Sequence, residues 1–123
     1  MARLSKIIDV HSHPVLAFGE GAPVGEGGKQ PDWSVESALS YMEQYDIAAC
    51  VLSTPAAAND ATGQAARDIA RRTNEVLADV VSKHPNRFGA VATLPALDAE
   101  GAIAEIDYAL DTLRMDGVYD DEY

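Results

Sequence analysis

Two histidines separated by a single residue are the side chains of this sequence best suited to chemistry. His11 and His13 follow a short apolar run that ends at Val10, and they stand just before Pro14. Alternate residues of an extended segment point to the same side, so both imidazoles can reach one ion. Imidazole nitrogen is a preferred ligand of zinc and similar divalent metals. We therefore predict a metal site that contains His11 and His13.

Asp9 lies two residues before His11 and is expected on the same side of the strand. A carboxylate in that position is a candidate for orienting a metal ligand. A lone His-x-His pattern is weak by itself, and the alternative is a pair of polar residues in a turn before Pro14. The apolar strand before the pair, and the pattern that follows it, favour the metal site.

Ser53 and Trp33 are further candidates for this site, whereas the third histidine, His84, is expected elsewhere. Ser53 ends a later apolar run just before Pro55 and is a substrate-binding candidate, with a plain strand terminus as the alternative. Trp33 stands at a helix start after a glycine-rich stretch, and it is either a substrate-binding residue or a packing residue. His84 precedes Pro85 at a predicted helix end, so we expect it to lie away from the metal.

The elements that must position these residues alternate regularly along the chain. Hydrophobic spacing and breaker residues predict strands ending near 10–13, at 47–53, at 88–94 and starting at 117, and helices at 35–45, 59–84 and 99–114. A glycine-rich loop is predicted at 17–31. Alternating buried strands and amphipathic helices indicate an α/β fold with a parallel sheet, which we expect to form one domain over 1–123.

The last helix is expected to bury an apolar stripe and to expose an acidic one. Asp98 is its predicted N-cap. The predicted apolar stripe contains Ile103, Ile106, Leu110 and Leu113. The predicted solvated stripe contains Asp98, Glu100, Glu105, Asp107 and Asp111.

Composition narrows the classes of partner. The 123 residues include 20 acidic and 9 basic side chains, for a formal net charge of −11. Such a surface repels nucleic-acid phosphates and anionic lipid, so we expect neither partner. No signal peptide or membrane span is visible, and the cytoplasm is the default location. The single cysteine, Cys50, cannot form an intramolecular disulfide, and its apolar surroundings predict a buried thiol.

Several segments together resemble one known family. They are Asp9 to Pro14, Trp33 to Pro55, His84 to Ala90, Thr93 to Pro95 and Gly117-Val118. In this order they resemble the amidohydrolase superfamily, and in particular its branch of aminocarboxymuconate-semialdehyde, γ-resorcylate and related non-oxidative decarboxylases. The resemblance extends from about Ile7 to Val118.

The resemblance implies a TIM-type (β/α) barrel with a divalent metal, most often zinc, at the carboxyl ends of its strands. It makes His11 and His13 metal ligands, and it implies hydrolysis or non-oxidative decarboxylation of a small carboxylic acid or amide. The family's remaining ligands and its general acid or base come from later strands, so the catalytic residues stay unknown.

A complete barrel has eight strands and takes about 250 residues. This sequence has 123 residues, and only three to four strands are predicted in it. The acidic end at 119–123 is predicted to be a solvated tail. We therefore expect an incomplete barrel, the truncated N-terminal portion of such an enzyme. The alternative is a non-catalytic fragment or assembly module whose exposed sheet edges pair with another chain, for example as a homo-oligomer.

Overall fold

The computed structural model describes residues 7–14, 33–54, 61–95 and 97–119. The whole of the predicted glycine-rich loop at 17–31, and all but Tyr119 of the predicted acidic tail, lie outside these ranges. The elements are β1 (Ile7–Ser12), α1 (Val35–Gln44), β2 (Ile47–Leu52), α2 (Gly63–Lys83), β3 (Phe88–Thr93), α3 (Ala99–Asp107), a π-helical turn (Tyr108–Thr112) and β4 (Gly117–Tyr119).

The four strands form one parallel sheet in the order β1-β2-β3-β4. The α/β prediction is confirmed, because a helix separates each pair of neighbouring strands. Parallel strands place all their carboxyl ends at one edge of the sheet. The residues that follow β1 and β2, and the last residue of β4, are therefore brought to the same end of the molecule.

Side-chain caps start two of the helices where the sequence predicts. The Ser34 hydroxyl accepts a hydrogen bond from the Ser37 backbone N–H, and the Ser37 hydroxyl accepts one from the Ser34 N–H. This reciprocal pair satisfies two backbone donors that a helix start leaves free. The Asp98 carboxylate accepts from the Gly101 N–H at the start of α3.

The core lies between the sheet and the helices. Met42 of α1 and Leu77 of α2 are fully buried against strand residues such as Leu52. Cys50 is buried in this cluster, as predicted. Within the described ranges no helix has the length and apolarity that crossing a membrane requires.

The prediction that the first strand is buried was wrong. Ile7, Ile8 and Val10 of β1 are all exposed, with 74% of Val10 accessible. The physical reason is position, because β1 is an edge strand of the described sheet and pairs only with β2. Apolar composition identifies residues suited to burial but does not supply the element that covers them.

The predicted stripes of the last helix were only partly right: Leu113 packs against the core and Glu100, Asp107 and Asp111 are exposed, but other members lie on the opposite side from the prediction. Ile103 is 62% exposed, whereas Glu105 is buried at 4% exposure. The helix places Glu105 against α2, where it meets partners that neutralise it. A π-helical turn then begins at Tyr108, and the Leu113 N–H donates to the Tyr108 carbonyl. The wider turn shifts later residues off the 3.6-residue period on which the prediction rests.

Candidate metal centre

His11 and His13 bring one nitrogen each to a common point. Their Nε2 atoms are 2.9 Å apart, and the two rings stand at 83° to each other. Both side chains leave the carboxyl end of β1 on the same side, as their spacing predicts. Both residues are exposed, so the point where they converge is accessible.

The main chain fixes the tautomer of His13. Its Nδ1 lies 2.7 Å from the carbonyl oxygen of Ser53, at the end of β2, and 3.3 Å from the Ser53 hydroxyl. A carbonyl oxygen can only accept, so Nδ1 carries the proton and Nε2 of the neutral ring presents a lone pair. This hydrogen bond to a metal ligand's second nitrogen is the usual support for a metal-binding histidine.

This donor set suits a divalent cation. Two nitrogen ligands of tetrahedral zinc, each at about 2.0–2.1 Å, stand roughly 3.3 Å apart, so a small opening of the 2.9 Å pair suffices. With this His13 tautomer, the Nε2–H of His11 donates the hydrogen bond to Nε2 of His13, so its hydrogen lies between the two nitrogens that would face a cation. Within the described ranges no three His, Cys, Asp or Glu side chains cluster as a metal site, so these two imidazoles fit as a partial ligand set.

Asp9 supports the backbone of the histidine segment instead of contacting an imidazole. Its Oδ1 accepts a hydrogen bond of 3.0 Å from the backbone N–H of His11. The pairing of β1 with β2 is irregular between Asp9 and Ser12, where three steps along β1 match two along β2. The side chain thus satisfies a backbone donor where the strand bulges, a place at which ladder hydrogen bonds are lost.

Tyr119, the last residue of β4, also reaches this point, although it was not predicted as a site residue. Its ring centroid is 5.6 Å from that of His11 and 6.2 Å from that of His13, with interplanar angles of 82° and 63°. Both contacts are edge-to-face. The signal that could have found it is its place at the carboxyl end of a fourth parallel strand, which the acidic residues after it obscured.

The other sequence candidates occupy different positions. Ser53 is buried beside His13. Trp33 packs against the hydrophobic core cluster. His84 caps the end of α2, and its ring packs edge-to-face on Phe88 at the amino end of β3, opposite to the end that carries His11 and His13. Burial raises the pKa of the Cys50 thiol, and the Asp9 carboxylate raises it further, so this thiol is a poor nucleophile.

The comparisons with known proteins agree on one family. The amidohydrolase family model matches residues 8–119. A decarboxylase of Aspergillus niger, yanB, is 34% identical over 122 residues, covering 90% of this chain and 33% of that protein. The 6-methylsalicylic acid decarboxylase of Penicillium expansum is 33% identical, covering 90% of this chain and 37% of its own length. The chain thus spans about a third of the length of these curated relatives.

Solved structures confirm the predicted partial barrel. The 2,6-dihydroxybenzoate decarboxylase from Rhizobium matches with a TM-score of 0.75 and 25% identity, over 94% of this chain and 38% of that one. A dihydroxybenzoic acid decarboxylase from Polaromonas, solved with manganese and the inhibitor 2-nitroresorcinol, matches with a TM-score of 0.75 and 26% identity over the same shares. The chain belongs to the amidohydrolase family, as a curled four-stranded part of its TIM-type barrel.

Proposed function

We propose that this chain supplies two of the metal ligands of a divalent-metal-dependent decarboxylase that acts without an oxidant on a small aromatic carboxylic acid. The observation that carries the proposal is the convergence of His11 and His13, whose Nε2 atoms are 2.9 Å apart while Ser53 holds the His13 tautomer. The substrate class is supported by the relatives, whose names include 6-methylsalicylic acid and γ-resorcylate decarboxylases.

The metal when bound supplies positive charge that holds and polarises an oxygen of the substrate. Imidazole ligands suit zinc, while a solved relative holds manganese, so the proposal covers a divalent ion and leaves the two metals to experiment. Loss of carbon dioxide breaks a carbon–carbon bond, and a proton then takes the place of the carboxyl group. No residue of this chain is assigned to that proton transfer.

The chain's own residues act by holding the donors in place. The Ser53 carbonyl orients the His13 ring, and the Asp9 carboxylate fixes the backbone N–H of His11. Asp9 lies within β1 and Ser53 follows β2, and the carboxyl ends of these two strands are hydrogen-bonded to each other through the Ser53 N–H and the Ser12 carbonyl. The bond to Ser53 limits how far the His13 ring can rotate, and the bond to Asp9 steadies the backbone that carries His11, so less order has to be imposed when an ion binds.

Titration of the full chain with Zn²⁺ and with Mn²⁺, followed by calorimetry, tests this proposal. His11→Ala and His13→Ala should each weaken binding by more than about tenfold, since even residues that only orient a ligand contribute about that much. His84→Ala is the matched control and should bind as the parent chain does, because His84 lies at the other end of the sheet. A chain that binds neither ion, or that binds equally well without His11, would contradict the proposal.

A further inference from the structure

We infer that Tyr119 forms an aromatic wall beside the metal-binding histidines and makes the site prefer a flat aromatic carboxylate over a saturated one. This inference rests on the proposed function, because it concerns the ligand of the same centre. It assigns a specificity-determining role to a residue on the strand farthest from the histidines in the sheet order.

The position of Tyr119 follows from the curvature of the sheet. β1 and β4 are the two edges of a four-stranded sheet, so in a flat sheet they would stand about 14 Å apart at three strand spacings. The Tyr119 ring nevertheless lies 5.6 Å from the His11 ring. The sheet therefore curls, and the three side chains converge on its concave side. Backbone pairing of Tyr119 with Thr93 of β3 fixes the height of the ring at the carboxyl end.

The convergence places the tyrosine within reach of anything bound to the histidines. Its ring meets both imidazoles edge-to-face, and an imidazole nitrogen is only about 2 Å from the metal it binds. A carboxylate held by that metal would carry its hydrocarbon part into the same space. Tyr119 is only partly buried, so some of its surface is available to a ligand.

An aromatic wall discriminates between ligands of equal charge and size. Aromatic pairs in offset or edge-to-face arrangements gain free energy beyond the burial of their area, which corresponds to about three- to tenfold in affinity. A saturated ring buries similar area on the tyrosine but lacks this additional attraction. The alternative role for Tyr119 is to pack against the imidazoles only, and that role predicts no difference between the two kinds of ligand.

The test compares benzoate with cyclohexanecarboxylate on the full chain loaded with Mn²⁺, using the relaxation enhancement that bound manganese causes in the ligand's NMR signals. The parent chain and Tyr119→Phe should bind benzoate about three- to tenfold more tightly than cyclohexanecarboxylate. Tyr119→Leu should lose that preference and keep its affinity for Mn²⁺ within about twofold. Tyr119→Val, which suits a strand, repeats the measurement if the leucine variant folds poorly.

Tyr45→Leu is the matched control. Tyr45 lies between α1 and the start of β2, at the amino end of the sheet, so its loss should leave the benzoate preference intact. A preference that survives in Tyr119→Leu, or a parent chain that binds Mn²⁺ but shows none, would overturn this inference alone. A parent chain that binds no Mn²⁺ would overturn the proposed function and the inference with it.

Discussion

Asn74 is a single buried side chain that joins three elements near the candidate site. Its Oδ1 accepts from the Thr93 N–H, and its Nδ2 donates to the Thr93 carbonyl and to Glu105, with all three distances at 2.9 Å. Thr93 is the β3 residue that pairs with Tyr119. The side chain of α2 therefore satisfies the backbone at the carboxyl end of β3, beyond the last residue of β3 that pairs with β2.

Replacing this amide should be costly. Asn74→Ala would leave the Thr93 N–H and carbonyl without their partner in a buried setting, and each unsatisfied group costs about 1–3 kcal/mol. We expect the free energy of unfolding in urea to fall by about 2–4 kcal/mol. Glu105→Gln keeps an acceptor for Asn74 and should cost less. A variant Asn74→Ala as stable as the parent chain would show that Thr93 finds other partners.

At the scale of single residues, the sequence predicts the relative positions of side chains that are close to each other in the chain. The spacing of His11 and His13 is enough to place both imidazoles on one side of a strand. Tyr119 and Asn74 depend on contacts across more than 15 residues, which periodicity does not describe. Asp9 was a candidate for orienting a metal ligand, and its carboxylate accepts a hydrogen bond from the backbone N–H of His11. Trp33 was a candidate for binding substrate, and it packs against the core.

Among the elements, α3 shows how charge decides which face of a helix is buried. Arg67 of α2 forms an ion pair with Asp98, at the start of α3, through two hydrogen bonds. Arg71 of α2 forms an ion pair with Glu105 through one hydrogen bond of 2.9 Å. Gly101 is required beside the first pair, because a Cβ there would collide with both Asp98 and Arg67. Asp98 and Glu105, which were predicted to face solvent, are thus paired with arginines of the preceding helix.

The Arg67–Asp98 pair should make stability depend on pH. The hydrogen bond from Arg67, then the one from the Gly101 N–H, hold the pKa of Asp98 below its ordinary value. Its contribution is therefore complete above the ordinary carboxyl pKa of about 3.9, and it is lost as pH falls through the lowered value. We expect Asp98→Asn, which keeps a capping side chain, to have a lower urea midpoint than the parent chain at pH 7 and to approach it below pH 4.

The control for this measurement is Asp68→Asn on the exposed side of α2, where Asp68 accepts only from the neighbouring Gln64 side chain among the bonds described. Its effect should be small at both pH values. A difference between Asp98→Asn and the parent chain that stays constant from pH 7 to pH 3 would mean that capping geometry, and not charge, accounts for the loss.

Hydrophobic period and breaker residues were sufficient for the order and type of the elements. Predicted bounds of α1 and β2 lie within one residue of the observed Val35–Gln44 and Ile47–Leu52. The failures concerned burial: the first strand is exposed, and the last helix buries Glu105 and exposes Ile103. Glu105 is buried because it meets Arg71 and Asn74 of α2, and residue spacing does not describe such long-range contacts.

For the whole molecule, the main feature is a curled sheet with two edges. β1 carries exposed Ile7, Ile8 and Val10 at one edge, and β4 carries exposed Val118 at the other. In a closed barrel each edge would pair with a further strand. Apolar edge strands are templates for pairing with other chains, which is the physical basis of the predicted assembly module.

We expect the isolated chain to associate as its concentration rises, and Ile8→Lys to reduce that association in light scattering. Leu97→Lys is the matched control, because Leu97 is 92% exposed and lies off the sheet. Each variant adds one positive charge to the net charge of −11, so a change caused by charge alone would appear in both. Equal association of Ile8→Lys and the parent chain would argue against pairing through β1.

The hydrogen bond from His13 to the carbonyl of Ser53 has an evolutionary consequence. Every amino acid at position 53 carries a backbone carbonyl group, so a substitution there need not change which nitrogen His13 turns toward His11. Natural variation at this position can alter the hydroxyl and the local volume while the donor orientation persists. The support from Asp9 needs a particular side chain, whereas the support from position 53 needs only that the backbone follow the same path.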